Sequence, residues 1–255
     1  LQAFVMSLLC PGWGQVYVGR IKLGLCVPAL IYLVALLLGG GGLIASPKGV
    51  YVFISLITAI KLVSAIAAAV QVRRCCGFLD VPGIRSHVIY VVLVYLAVAM
   101  LLVVFRGSLL GYQIYFVPSG SMAPTVSVGD YIVSDTRVGL PEIGDIVVYR
   151  YNGVEAVKRV AGIAGDTLAI VDGELIRNGE NLGFFHASVN RVKYDFSRQL
   201  APLNVKSGHV YLLGDNRDVS NDSRFVGQVT IENITGRVTG IFYSEDRSRI
   251  GVDFP

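Results

Sequence analysis

VIYVVLVYLAVAMLLVVF, residues 88–105, runs for 18 positions without a charge or a helix breaker. As a helix rising about 1.5 Å per residue, such a run crosses most of the roughly 30 Å hydrocarbon core of a bilayer. Arg106 closes it, and from Gly111 the pattern changes to short β-branched and aromatic runs separated by Gly, Asp and Asn. The chain therefore divides here, into a membrane region over 1–107 and a second domain over 108–255.

The 255 residues are 53% hydrophobic and 16% charged, with a net charge of +4. The charged share lies well below the roughly one quarter typical of soluble domains. That argues against an ordinary soluble enzyme, a disordered chain or a nucleic-acid partner. The net charge also averages two unlike halves. Residues 1–107 hold eight Lys/Arg against one acid, Asp80, a balance of +7; the remainder holds fourteen bases and seventeen acids, a balance of −3.

Residues 23–44 form another candidate span, weakened at its far end by Gly39–Gly42 and carrying Pro28, and 50–72 a third, with Lys61 near its middle. A charge at that depth is costly unless it faces other helices, water or a partner. Lys and Arg in short loops favour the cytoplasmic side. Arg20, Lys22, Arg73, Arg74 and Arg85 fall on one side and Lys48 alone on the other. Three spans so oriented leave 108–255 outside. Pro11-Gly12-Trp13-Gly14-Gln15-Val16-Tyr17-Val18-Gly19 reads as a turn entering a membrane hairpin, serving packing and topology or a lipid or partner contact. The chain opens on Leu1 rather than Met, which points to a processed or truncated start and leaves an upstream segment open. All four cysteines (Cys10, Cys26, Cys75, Cys76) lie before residue 107, so no disulfide is expected outside. Cys75-Cys76 reads as a reduced pair, with lipidation or metal binding as alternatives.

In the outer half, strands are predicted over 113–117, 131–134, 145–151, 154–163, 167–171, 174–177, 209–213 and 228–243, an all-β pattern of sandwich or barrel type. Asp172-Gly173 signals a tight hairpin. Residues 179–207 lack clear periodicity and read as an excursion or extended loop.

Three constellations carry chemistry. Pro118-Ser119-Gly120-Ser121-Met122-Ala123-Pro124-Thr125 follows a strand; its small residues admit a substrate backbone and its prolines stiffen the turn. Alone, it is also an ordinary loop. In 154–161, period-two alternation puts Lys158 on a face with Val154, Ala156 and Val160, and Arg159 on the other with Glu155. Desolvation lowers a lysine pKa and fits it to act as general base, although an edge-strand lysine can equally reach water. Gly214-Asp215-Asn216-Arg217-Asp218-Val219-Ser220-Asn221-Asp222-Ser223-Arg224 lacks the Gly and Glu that a calcium loop needs at 220 and 226, and reads as a turn knitted by Asp/Asn/Ser–backbone bonds and Asp–Arg pairs.

In that order, SGSM-x-PT, KR-V-x-G-x-x-GD and GDNRD-x-S-x-DSR resemble the bacterial type I signal peptidases, membrane-anchored Ser/Lys endopeptidases, over about residues 113–243. The resemblance implies N-terminal transmembrane α-helices followed by a mainly-β domain of the signal-peptidase/LexA-like β fold. It implies Ser121 as nucleophile and Lys158 as general base, with Ser119 completing an oxyanion hole and Ser220 orienting the lysine. Asp215, Arg217, Asp222 and Arg224 would buttress the site, and Val117, Pro118, Met122, Val126, Ala156 and Val157 would line the substrate pockets. Its substrates would be exported preproteins with small residues at −1 and −3, cut at the outer face of the bacterial cytoplasmic membrane by a multi-pass protein without metal or organic cofactor. A relative dedicated to one substrate of conjugation or pilus type, or an inactive anchored domain that binds signal sequences, are the alternatives. Val219 and Phe225-Val226 depart from the family pattern, and three spans exceed its usual one or two anchors.

Overall fold

The computed structural model describes residues 1–74, 81–137 and 139–254. Cys75, Cys76 and Asp80 lie outside the described residues. The chain forms two compact units, Leu1–Ile44 with Lys48–Gly111, and Ala45–Pro47 with Tyr112–Pro255.

The first unit is helical: α1 (Gln2–Leu9), α2 (Trp13–Tyr17), α3 (Ile21–Gly40), α4 (Pro47–Arg74) and α5 (Ile84–Ala99), the last widening into π-type turns over Met100–Val104. Three of these, counting the α5 extension, are long and apolar enough to cross a membrane. The Pro/Gly-rich motif is a packing device. A Cβ on Gly12, which has a φ of +79°, would run into Gly24 O and the Tyr90 hydroxyl, and one on Gly14 into Ala3 O and Ser7 Oγ. The motif's buried Gln15 donates from Nε2 to Ser64 O at 2.7 Å and accepts from Ser7 Oγ and Ser64 Oγ at 3.2 Å each. In an apolar bundle such internal partners are what make a buried amide tolerable.

The second unit is built on two antiparallel sheets, β1 (Tyr112–Phe116) to β11 (Ile234–Tyr243). β2 (Tyr131–Asp135), β3 (Ile146–Tyr151), β4 (Val154–Ile163), β9 (His209–Leu213) and β10 (Val229–Thr230) join β1 and β11 in the order β1-β2-β11-β3-β4-β9-β10. β5 (Thr167–Val171), β6 (Glu174–Arg177), β7 (Glu180–Asn181) and β8 (Leu200–Asn204) form the smaller sheet, ordered β7-β6-β5-β8. Three hairpins turn on a positive-φ pair: Asn152-Gly153, Asp172-Gly173 and Asn178-Gly179. Positive φ at both central positions suits the right-handed strand twist.

The expected strands over 167–171, 174–177 and 209–213 form with the same bounds. The 228–243 run does not remain one strand: a 3₁₀ turn at Ile231–Asn233 separates β10 from β11. The 179–207 stretch contributes β7 and β8 as well as loop. β8 carries Pro202 and lies at a sheet edge, where a missing N–H costs no ladder bond.

β4 positions the site because its two halves differ. It pairs with β3 from Val154 to Arg159, and with β9 only from Arg159 onward. Val154–Lys158 thus keeps one edge without a ladder partner. β1, paired only to β2, has a free edge as well. Residues 115–119 and 154–158 line the same cleft, and Tyr115 OH reaches Glu155 Oε1 at 3.4 Å across it.

Candidate active site

Ser121 sits on the turn that leaves β1, and Lys158 on β4. Their side chains meet with Lys158 Nζ 2.9 Å from Ser121 Oγ, and Nζ also donates to Val157 O at 2.8 Å. Both residues are buried, at 8% and 5% exposure. Burial lowers the Lys158 pKa to about 8, against the opposing pull of the Asp222 and Asp215 carboxylates. At that value a substantial neutral fraction exists near pH 8, and a neutral amine beside a hydroxyl can accept its proton.

Ser119 Oγ lies 3.4 Å from Ser121 Oγ. The Ser121 N–H donates no hydrogen bond among the described residues. Ser220 is buried and its Oγ has no hydrogen-bond partner among them. The expected Ser220–Lys158 contact is therefore not among the bonds that Nζ makes. Ser220 instead packs on Gly214, where a Cβ would collide with Ser220 Oγ and would lie 2.6 Å from Ser121 O. The absent side chain lets the Ser220 turn and the Ser121 turn approach.

The acidic turn surrounds the dyad with paired charges. Asp222 accepts from Gly214 N at 2.9 Å and from Arg224 Nε at 2.8 Å. Arg224 also donates to Arg217 O at 2.7 Å and Phe196 O at 3.0 Å. Arg217 donates to Gly214 O at 2.9 Å and Phe185 O at 3.1 Å. Burial, followed by the nearby Arg224 charge, lowers its pKa to about 10, which leaves it charged at neutral pH. Asp215 takes a two-pronged bond from Arg159, Nε at 2.9 Å and Nη2 at 2.7 Å. Breaking a buried pair of this kind typically costs about 3–5 kcal/mol.

Two residues in this frame carry no role in the sequence reading. Arg159 shares a strand face with Glu155 by alternation, but the two have different partners: Glu155 lies 3.6 Å from Arg150, and Arg159 reaches Asp215. Asn216, central in the acidic motif, donates from its backbone N–H to Ser121 O and from Nδ2 to Gly120 O, both at 3.0 Å. An Asn beside Asp215 was its signal, but the acceptor is on a turn far away in sequence.

Of the residues expected to line substrate pockets, Val117, Pro118, Met122, Ala156 and Val157 border a 260 Å³ cleft that also reaches Ser121 and Lys158. Val126 does not line it. It is fully buried in the apolar cluster holding Val117 and Met122, beneath the cleft. A neighbouring 420 Å³ cavity is lined by Tyr149, Tyr151, Val219 and Val226 and shares the dyad with the first. His209 Nδ1 contacts Ser207 O, away from Ser121.

The sequence model for the family described as signal peptidase, peptidase S26, matches residues 86–243. A signal peptidase I of Pseudomonas aeruginosa is 30% identical over 180 residues, half of this chain and 63% of that protein; one from Pseudomonas fluorescens is 29% identical with the same coverage. The chain thus spans under two thirds of the length of these relatives. A signal peptidase I of Leptolyngbya laminosa is 32% identical over 145 residues, 52% of this chain and 69% of that one. A crystal structure of a signal peptidase I from Enterococcus faecalis aligns with a TM-score of 0.35 at 28% identity, covering 40% of this chain and 99% of the other, too loose a superposition to add to the assignment. The match across 86–243 carries it: the chain belongs to the signal peptidase, peptidase S26 family.

Proposed function

We propose that this chain is a membrane-anchored serine endopeptidase that removes N-terminal signal peptides from exported preproteins, with Ser121 as nucleophile and Lys158 as general base. The observation that carries this reading is the buried 2.9 Å contact between Lys158 Nζ and Ser121 Oγ. Residues 1–107 serve as the membrane region and 108–255 as the extracytoplasmic peptidase domain of a bacterial cytoplasmic membrane protein. The five-to-one loop charge bias supports that orientation.

Substrate enters as an extended strand between the free edges of β1 and β4. Alternate side chains of a strand point the same way, so residues −1 and −3 face one wall together. That wall, formed by Val117, Pro118, Met122, Ala156 and Val157, is the apolar surface on which small side chains at −1 and −3 pack. Neutral Lys158 takes the Ser121 proton as Oγ bonds to the scissile carbonyl carbon. The C=O π pair moves to oxygen, where the Ser121 N–H and Ser119 hydroxyl hold the developing charge. Each such donor is typically worth about 10²–10³ in kcat. Collapse expels the amine of the mature protein, protonated by Lys158, and leaves an acyl-enzyme. The freed lysine then activates water for hydrolysis. Ser220, buried beside the turn with its Oγ unpaired, is suited to orient the amine during these transfers.

The test is cleavage of a model preprotein by the full detergent-solubilised chain. Wild type should cut, and Ser121→Ala and Lys158→Ala should not. Cleavage surviving in either variant would sink the dyad, and absence of cleavage by wild type across diverse preproteins would sink the general peptidase reading.

A further inference from the structure

The helical unit holds a 220 Å³ cavity between α3, α4 and α5, walled by apolar side chains such as Ile31, Phe53 and Val94. Three polar side chains interrupt that wall: Lys61 from α4, Tyr32 from α3 and Tyr95 from α5. The Tyr32 hydroxyl is buried without a hydrogen-bond partner, and Lys61 makes no hydrogen bond or ion pair among the described residues. Residues 1–107 hold one acid, Asp80, which follows the end of α4 in sequence. Lys61 stands near the middle of Pro47–Arg74, roughly 20 Å from either end at about 1.5 Å per residue, too deep for its side chain to reach water at an interface.

The carbonyls at the α1–α2 junction, which borders the same cavity, already have donors: Tyr95 OH to Leu9 O at 2.8 Å and Tyr90 OH to Pro11 O at 2.6 Å. What is left unpaired at the cavity is therefore one ammonium and one hydroxyl, both able to donate, within apolar walls. The complement is an anionic oxygen on an apolar body. A helix, about 10–12 Å across, does not fit this volume, whereas a head group and the first methylenes of a single alkyl chain do, the rest of the chain leaving by the rim. Leu9 and Tyr95, both lining the cavity and both more than half exposed, give it a rim facing outward.

We propose that this cavity binds the carboxylate of a long-chain fatty acid, with Lys61 and Tyr32 holding the head group and the apolar walls holding the first part of the chain. The inference rests on the reading of α3, α4 and α5 as membrane spans, and is independent of the dyad's chemistry.

The test is native mass spectrometry of the full chain in dodecyl maltoside, titrated with oleate or with oleyl alcohol. Oleate should bind wild type saturably at one site. Lys61→Met should weaken oleate by about tenfold or more, and Tyr32→Phe by a smaller factor. Oleyl alcohol should bind wild type no better than oleate binds Lys61→Met. Equal binding of acid and alcohol to wild type, or an unchanged oleate affinity in Lys61→Met, overturns the proposal and leaves Lys61 as a locally hydrated lysine. Should Lys61→Met fail to fold, the acid-to-alcohol ratio in wild type and in Tyr32→Phe decides. Recovery of the chain in solution without detergent contradicts the span reading itself, and is seen before any ligand is added.

Discussion

Asn216 ties the acidic turn to the nucleophile turn twice, its backbone N–H on Ser121 O and its side-chain amide on Gly120 O, each at 3.0 Å. The position of Ser121 Oγ relative to Lys158 therefore depends on a residue outside the dyad. Asn216→Asp removes the side-chain donor and sets a carboxylate against a carbonyl. Loss of such a buried bond costs about 1–3 kcal/mol. The expected outcome is a kcat lowered by about 10–100-fold with KM little changed, read from initial rates on a model preprotein.

Arg159 and Asp215 form a buried two-pronged pair at 2.7 and 2.9 Å. Asp215→Ala strands the guanidinium, and a loss of about 3–5 kcal/mol follows. Thermal unfolding of the β-rich unit should show Tm falling in Asp215→Ala. Part of that loss should return in Asp215→Ala/Arg159→Met, because the second change removes the stranded charge. Activity should not return with it, since the acidic turn would no longer be held to β4.

Gly214 admits no side chain between Ser220 and Ser121 O. Gly214→Ala should destabilise by about 1–3 kcal/mol through overpacking, and should lower kcat by displacing the nucleophile turn. An active, equally stable Gly214→Ala enzyme would show that the two turns need not approach so closely.

Arg249 follows the 86–243 match to the family yet clamps the loop after the nucleophile, pairing with Asp130 at 2.7 Å and donating to Thr125 O at 2.9 Å. Burial pushes the Asp130 pKa up, but hydrogen bonds from Arg249, the Ser127 N–H and Ser244 outweigh it, so the pKa falls below 3.8. A carboxyl depressed in the folded state contributes stability that is present above its unfolded pKa, near 4, and lost as pH falls through its folded value. Arg249→Ala should therefore lower Tm at pH 7 and flatten the decline of Tm below pH 4 relative to wild type. Equal acid sensitivity in the two proteins would remove Arg249 from this account.

Much of this arrangement was legible in sequence, for identifiable reasons. Lys158 stood out because a strand's period-two alternation left it alone among apolar neighbours; its burial comes from its place along β4, which is exposed at Val154 and buried on both faces from Lys158 to Gly162. The long apolar helices were legible because an uncharged apolar run of 18 residues leaves few alternatives. Arg159–Asp215 was not, because its partners meet only when β4 pairs with β9. β7 and β8 were missed because edge strands of a small, exposed sheet need no apolar alternation, and Pro202 argued against a strand. Val126 was expected at the cleft, but it is fully buried in the apolar cluster with Val117 and Met122, a depth that residue type does not specify.

The pH–rate profile of preprotein cleavage tests the central claim most directly. Lys158, lowered by burial to about 8, must lose its proton before it can accept one from Ser121. kcat/KM of the full chain should rise about tenfold per pH unit below that value and level off above it. A rate flat from about pH 6 to about pH 9, or cleavage retained by Lys158→Ala, would contradict it.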